Sequence, residues 1–336
     1  MSSADLVAGL LWLSLTAYAV LAGADFGGGV WDALAAGPRT AEQRRAVAQA
    51  MGPVWEANHV WLIFMITGLF TAFPIAFATL GSRLYLPLTL ALVGIVLRGA
   101  AFVFRAHGRD AIGPLTAWGA TFGAASMLAP FFLGTVAAAV AIGTIHSSPA
   151  SASVAADMFL GWTAPAAIVI GLFAVSLCAY LAATYLLVET EDQPLLQADF
   201  RRRATVAGLV SGGLALLALF LVAVQAPRLF ASLTGRGQPL LILAIVNGLL
   251  ALWAVWRSRP RIARVAVIAQ VVLVLWAWVV GQWPYLIPPD LTIAGAAAPS
   301  ATLDGMLVVV GVGMLLLLPS LWVLFRVFKS RNPAAG

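Results

Sequence analysis

Apolar residues in this chain come in long, nearly unbroken runs, and polar residues gather in the short connections between them. A helix needs about 20 consecutive apolar residues to cross a bilayer. About nine such runs can be read. They are Leu6–Ala36, Pro53–Ala78, Leu84–Val103, Leu115–Ile142, Met158–Val188, Ala204–Val224, Leu240–Trp256, Ile262–Gln282 and Leu303–Phe328. Several exceed the span length, so tilted or broken helices are expected. The pattern predicts an all-α polytopic membrane protein, two helical bundles plus an extra helix. It forms one integral membrane domain over 1–336, with approximate halves 1–150 and 151–336. The longest polar stretch, Glu189 to Arg203, reads as the loop joining the halves.

Composition agrees. Hydrophobic residues make up 62% of the chain and charged ones 10%, against about 25% charged in soluble domains. The single cysteine, Cys178, lies in an apolar run. That excludes a disulfide framework, a Cys-rich metal site, an internal iron–sulfur cluster and a C-x-x-C-H haem attachment. No basic segment precedes the first run, which therefore reads as a retained span rather than a cleaved signal.

The net charge of +6 has a topological explanation. The connections after runs one, three, five and seven, with the C-terminal tail, hold 15 of the 19 Lys and Arg. These are Arg39, Arg44, Arg45, Arg105, Arg109, Arg201, Arg202, Arg203, Arg257, Arg259, Arg261, Arg264, Arg326, Lys329 and Arg331. The opposite side holds Arg83, Arg228 and Arg236, and Arg98 is inside a span. By the positive-inside rule the N-terminus is outside and the C-terminus cytoplasmic. No nucleic-acid partner is called for.

Ionisable groups inside a membrane are costly and mark function by default. The densest such stretch is Pro53-Val54-Trp55-Glu56-Ala57-Asn58-His59-Val60-Trp61-Leu62, an acid, an amide and an imidazole between two tryptophans. Proline suits the first helical position, which puts Glu56 in the first turn, where the helix dipole favours a carboxylate. Glu56 is thus either a helix-start acid or a proton-accepting group at the mouth of a pathway. Its i+3 spacing puts His59 on the same face. Asp25 precedes Phe26-Gly27-Gly28-Gly29. Either the glycines admit a neighbouring helix while Asp25 caps a break, or Asp25 is a proton or ion site. Arg98, with Phe102 and Arg105 on its face, needs a partner at its depth, and Asp25 or Glu56 could supply it. Of the three histidines, His59 alone falls in a span; His107 and His146 fall in connections. Met65, Met127, Met158, Met306 and Met314 read as core filler, so a multi-haem protein is not expected from this chain alone, and no metal site is read in it. Asn247 and Gln270 read as interhelical hydrogen-bonding residues.

Four blocks resemble subunit II of the cytochrome bd-type quinol oxidases. They are Gly23-Ala24-Asp25-Phe26-Gly27-Gly28-Gly29; Gly52-Pro53-Val54-Trp55-Glu56-Ala57-Asn58-His59-Val60-Trp61-Leu62; Phe73-Pro74 with Tyr85-Leu86-Pro87-Leu88; and Leu97-Arg98-Gly99-Ala100-Ala101-Phe102-Val103-Phe104-Arg105. Phe200-Arg201-Arg202-Arg203 is also similar to the family. The length and helix plan match throughout, while the motifs cluster in the first third. The resemblance implies a chain without haem in a bacterial cytoplasmic membrane. Its partner, subunit I, would carry haem b and haem d (in some members a further haem b) and oxidise quinol. Small accessory subunits, membrane lipid and quinone are further implied contacts. The complex would reduce dioxygen to water with protons taken from the cytoplasm. The family pattern assigns the Glu56 position to a proton route near the subunit boundary, with Asp25 and His59 as candidates beside it and Trp55, Asn58 and Arg98 as structural or charge partners. The sequence departs from many relatives at Glu56 (often Asp), at His59 (often Gln or Glu) and at Val103 (often an acid). A proton path here rests on Glu56, with His59 and water as its available aids.

The alternative class is a proton-coupled secondary transporter using Asp25 and Glu56. Transporters built from repeats place polar breaks in corresponding positions of both halves, whereas here they concentrate in the first three runs. A membrane assembly factor is a third reading.

Overall fold

A computed structural model describes residues 2–51, 55–107, 117–145, 159 and 161–329. Gly52, Pro53, Val54, Arg109, His146, Met158 and Arg331 lie outside the described residues, as do the side chains of Trp55, His107 and Lys329. The Pro53 helix start is therefore outside them too.

Fourteen helices follow one another among the described residues, with one small hairpin near the end. The first seven are α1 (Ser3–Ala33), α2 (Thr40–Met51), α3 (Trp55–Asn58), α4 (Val60–Ala72), α5 (Pro74–Arg83), α6 (Tyr85–His107) and α7 (Ala117–Ile142). The next five are α8 (Pro165–Glu189), α9 (Pro194–Gln225), α10 (Pro227–Thr234), α11 (Gln238–Trp256) and α12 (Pro260–Gln282). Strands β1 (Tyr285–Ile287) and β2 (Leu291–Thr292) pair antiparallel ahead of α13 (Ile293–Ala296) and α14 (Ser300–Lys329). Eight of these (α1, α6, α7, α8, α9, α11, α12 and α14) are long and apolar enough to cross a membrane, and the bent α4–α5 unit makes a ninth if counted as one span.

The second predicted run is the one that breaks. Glu56–Ala72 and Pro74–Arg83 meet at 117°. Pro74 lacks the N–H that would continue the helix and disfavours helical geometry at Phe73. Phe73 is fully buried, and the Ala72 carbonyl left over at the end of α4 accepts a hydrogen bond from the Ala298 N–H at 2.8 Å. Five helices (α5, α8, α9, α10 and α12) have proline as their first residue, where its fixed φ suits the helix and its missing N–H costs nothing. Ser2 caps α1 in a reciprocal box with Asp5.

Helix α1 runs unbroken through Gly27-Gly28-Gly29, which corrects the expectation that Asp25 caps a break there. The glycines serve close packing instead. A Cβ on Gly27 would lie 1.8 Å from the Cys178 carbonyl oxygen in α8, and one on Gly29 would lie 2.0 Å from Ser126 Oγ in α7. Trp31 Nε1 donates to the Ala179 carbonyl at 2.7 Å, tying the same two helices. One large core gathers Trp31, Phe122, Leu181, Phe200 and Val267; a second, toward the start of α1, holds Val7, Phe73, Leu84, Trp162 and Ile287. Outward faces of α9, α11 and α14 expose Leu216, Phe220, Ile245, Leu249, Leu315 and Leu316, as a lipid-facing surface does.

The arginine-bearing connections meet at one end. Arg39 makes two hydrogen bonds to Asp199, at 2.8 and 2.6 Å, and Gln43 joins Asp199 to Arg203. Arg261 pairs with Glu191, and Arg201 donates to Ser258. The hydrogen bond that Arg39 donates to Asp199 raises its pKa above the already high ordinary value. At the other end Ser3 binds Asp304 and Arg236 donates to the Trp283 carbonyl. Deep in the second half, Asn247 Nδ2 donates to Gln270 Oε1 at 2.9 Å between α11 and α12.

Candidate functional site: a buried charged cluster on helix α1

Four buried polar side chains of α1 fall on one stripe. Ser14, Tyr18, Asp25 and Asp32 are all buried, and their spacings of four and seven keep them on one helical face. Facing this stripe are the α3–α4 junction, α6 and α7.

Asp25 is 7% exposed and accepts a hydrogen bond from Asn58 Nδ2 at 2.7 Å. Asn58 ends the single-turn helix α3 and is itself buried. Next to it His59 occupies the turn before α4, its backbone N–H bonded to the Glu56 carbonyl at 3.2 Å. Its ring lies 5.7 Å from that of Tyr18 and 6.1 Å from that of Phe26. Glu56 takes the other direction and is exposed on the outer surface of the chain. The two residues expected to share a face thus differ in burial, Glu56 exposed and His59 half-buried, where the α3 helix stops at Asn58 and the chain turns at His59.

Arg98 of α6 is 1% exposed, the largest side chain fully enclosed. Its guanidinium stands 5.1 Å above the Phe26 ring and 5.6 Å from that of Phe122. Rings offer a desolvated cation a negative face. Asp25 and Tyr18 are within electrostatic reach of Arg98. The structure therefore gathers Asp25, Asn58, His59 and Arg98, and leaves Glu56 at the edge of the group.

Two turns nearer the arginine end lies an ion pair that the sequence alone did not single out. Arg105 Nη1 and Nη2 donate to the two carboxylate oxygens of Asp32 at 2.8 and 3.1 Å. Arg44 donates to the Asp32 carbonyl, and Arg105 also covers Phe122 at 5.3 Å. The signal was present: Asp32 follows Asp25 by two turns of α1, and Arg105 follows Arg98 by two turns of α6. Tyr18 and Ser14 gave less signal, since hydroxyl and aromatic residues are common in spans. Val103, where relatives often carry an acid, is 42% exposed on α6.

Chemically, the stripe offers a carboxylate held by an amide, an imidazole and a phenol in a setting where charge is expensive. Such groups can take up and release protons. No three His, Cys, Asp or Glu side chains converge among the described residues.

Comparison with known proteins extends this picture. Residues 3–328 match the family model for cytochrome bd terminal oxidase subunit II. A putative cytochrome bd menaquinol oxidase subunit II of Bacillus subtilis is 24% identical over 95% of this chain and 93% of its own. The cytochrome bd ubiquinol oxidase subunit 2 of the same organism is 35% identical over 28% of each chain. The cytochrome bd-I ubiquinol oxidase subunit 2 of Escherichia coli is 31% identical over 29% of this chain and 25% of its own. Matches to those last two thus span about a quarter of each relative's length. In fold, the chain is similar to a chain of the bd oxidase from Geobacillus thermodenitrificans, with a TM-score of 0.75 and 22% identity over 99% of this chain. The family match runs from the first turn of α1 to the end of α14 and takes in every residue of the buried cluster: this chain belongs to the cytochrome bd terminal oxidase subunit II family.

Proposed function

We propose that this chain is the haem-free subunit of a quinol:dioxygen oxidoreductase and conducts protons toward its haem-bearing partner. Subunit I is the partner that the family implies. In the assembled complex its haems, b and d, supply electron transfer and oxygen chemistry. Quinol is the reductant, and lipid and quinone are further contacts of the membrane-embedded assembly. The N-terminus lies outside the cell and the arginine-rich end faces the cytoplasm.

The observation that carries the conduit reading is the 2.7 Å hydrogen bond from Asn58 to the buried Asp25. It ties the residue two places after the exposed Glu56 to a carboxylate in the interior of the bundle. Glu56 takes up a proton at the chain's surface, near the arginine-bearing end. Asn58 holds the Asp25 carboxylate in place, and His59 lines the step inward. Arg98 stands within electrostatic reach of the Asp25 carboxylate and offsets its charge.

The test is Glu56→Gln in the complete complex. Glutamine keeps the shape and hydrogen bonding of the side chain and loses its titratable proton. The expected outcome is normal assembly and haem content with oxygen consumption slowed by at least about tenfold, the lower part of what a positioned proton carrier contributes. Normal turnover would reduce the chain to a scaffold for its partner. Purification as a self-sufficient, haem-free chain would favour the transporter reading instead.

A further inference from the structure

Tyr18 is a buried titratable group for which the proton route above has no use. It is 4% exposed, and its hydroxyl is enclosed with no hydrogen-bond partner among the described residues. A buried hydroxyl left unsatisfied is costly, and native proteins meet that cost with ordered water where the surroundings are polar. Here they are. The His59 ring is 5.7 Å away, and both Arg98 and Asp25 act electrostatically on the phenol. Ser14, one turn further along α1, is 1% exposed and donates to the Trp61 carbonyl at 2.6 Å. Tyr18 precedes Asp25 by two helical turns, about 10 Å further from the arginine-bearing end.

We propose that Tyr18 is a proton-relaying residue whose hydroxyl holds a water beside His59 and passes protons onward from Asp25. The inference rests on the conduit reading given above. The water takes a proton from the Asp25 carboxyl and gives one to the phenol oxygen, while the phenol's own proton leaves to a further water on the Ser14 side. One O–H bond forms as another breaks, no electrons are transferred, and the phenol ends neutral. A neutral relay suits this place, because the fixed guanidinium of Arg98 opposes a resident hydronium ion.

Tyr18→Phe keeps the ring contacts with His59 and Phe26 and removes only the oxygen. In the complete complex, haem content should match wild type while oxygen consumption falls by at least about tenfold. The solvent deuterium isotope effect on turnover should rise, which loss of packing alone would not produce. Turnover is normalised to haem in native membranes, so that a partly assembling variant still gives a reading. Wild-type turnover with an unchanged isotope effect would overturn the proposal, most clearly if the melting temperature also rose, as it does when an orphaned hydroxyl is removed. Glu56→Gln measured in parallel separates the two levels. If it slows turnover and Tyr18→Phe does not, the relay fails alone; if neither does, the conduit fails with it.

Discussion

Gly27 sits where the bundle has no room for a methyl group. Its position against the Cys178 carbonyl is backbone against backbone, so no side chain can rotate away. Gly27→Ala must push α1 off α8 and stretch the Trp31–Ala179 hydrogen bond one turn on. Overpacking of this kind costs about 1–3 kcal/mol, and more where backbone must move. The expected result is a clear drop in the melting temperature of the purified complex. Gly213→Ala is the control, because nothing lies within 4 Å of a Cβ there. In the interior of α9 alanine is favoured by about 1 kcal/mol, so the melting temperature should hold or rise. Equal losses from both variants would mean that the α1–α8 approach is looser than it is here. The sequence left two roles open for these glycines, a break or a close contact. Both need a small residue, and the choice depends on Cys178 and Ser126, which lie far along the chain.

Helices α1 and α6 face each other with charge at two levels: Arg98 stands within electrostatic reach of Asp25 in the interior, and Asp32 is clamped to Arg105 nearer the arginine end. The clamp is the better defined of the two. Asp32 is 2% exposed and Arg105 17%, measured on their side chains, and both hydrogen bonds of the fork are made. Removing one partner of a buried pair leaves an uncompensated charge and costs about 3–5 kcal/mol. Asp32→Asn and Arg105→Gln should each destabilise the complex by that order. The double variant should cost less than their sum, since each single change already destroys the same interaction. Additive losses in thermal unfolding would show that the two residues act independently. The elements themselves were largely legible, because long apolar runs bounded by arginines leave little choice of helix position. The break at Phe73–Pro74 was less so. Proline marks the place, but the apolar run continues across it, and the turn is held by Ala298 from the far end of the sequence.

Across the whole molecule, charge decides direction. The contacts Arg39–Asp199, Asp32–Arg105 and Arg261–Glu191 bring the connections after the first, third, fifth and seventh predicted runs to one end. By the positive-inside rule, an end so rich in arginine is expected on the cytoplasmic side. Glu56 belongs to the same half, since α4 leads away from it toward Ala72, where Ala298 closes the opposite end. The orientation therefore settles from which compartment a proton reaches Glu56. It can be measured by labelling with a membrane-impermeant maleimide in a Cys178→Ser background. Asp192 and Thr234 are both exposed, at opposite ends of α9 and α10. Asp192→Cys should react only after the membrane is permeabilised, and Thr234→Cys in intact cells. The reverse pattern would place Glu56 toward the outside. Protons entering there would come from the compartment that the respiratory chain is meant to charge, and the conduit assigned to Glu56, Asp25 and Tyr18 would lose its purpose.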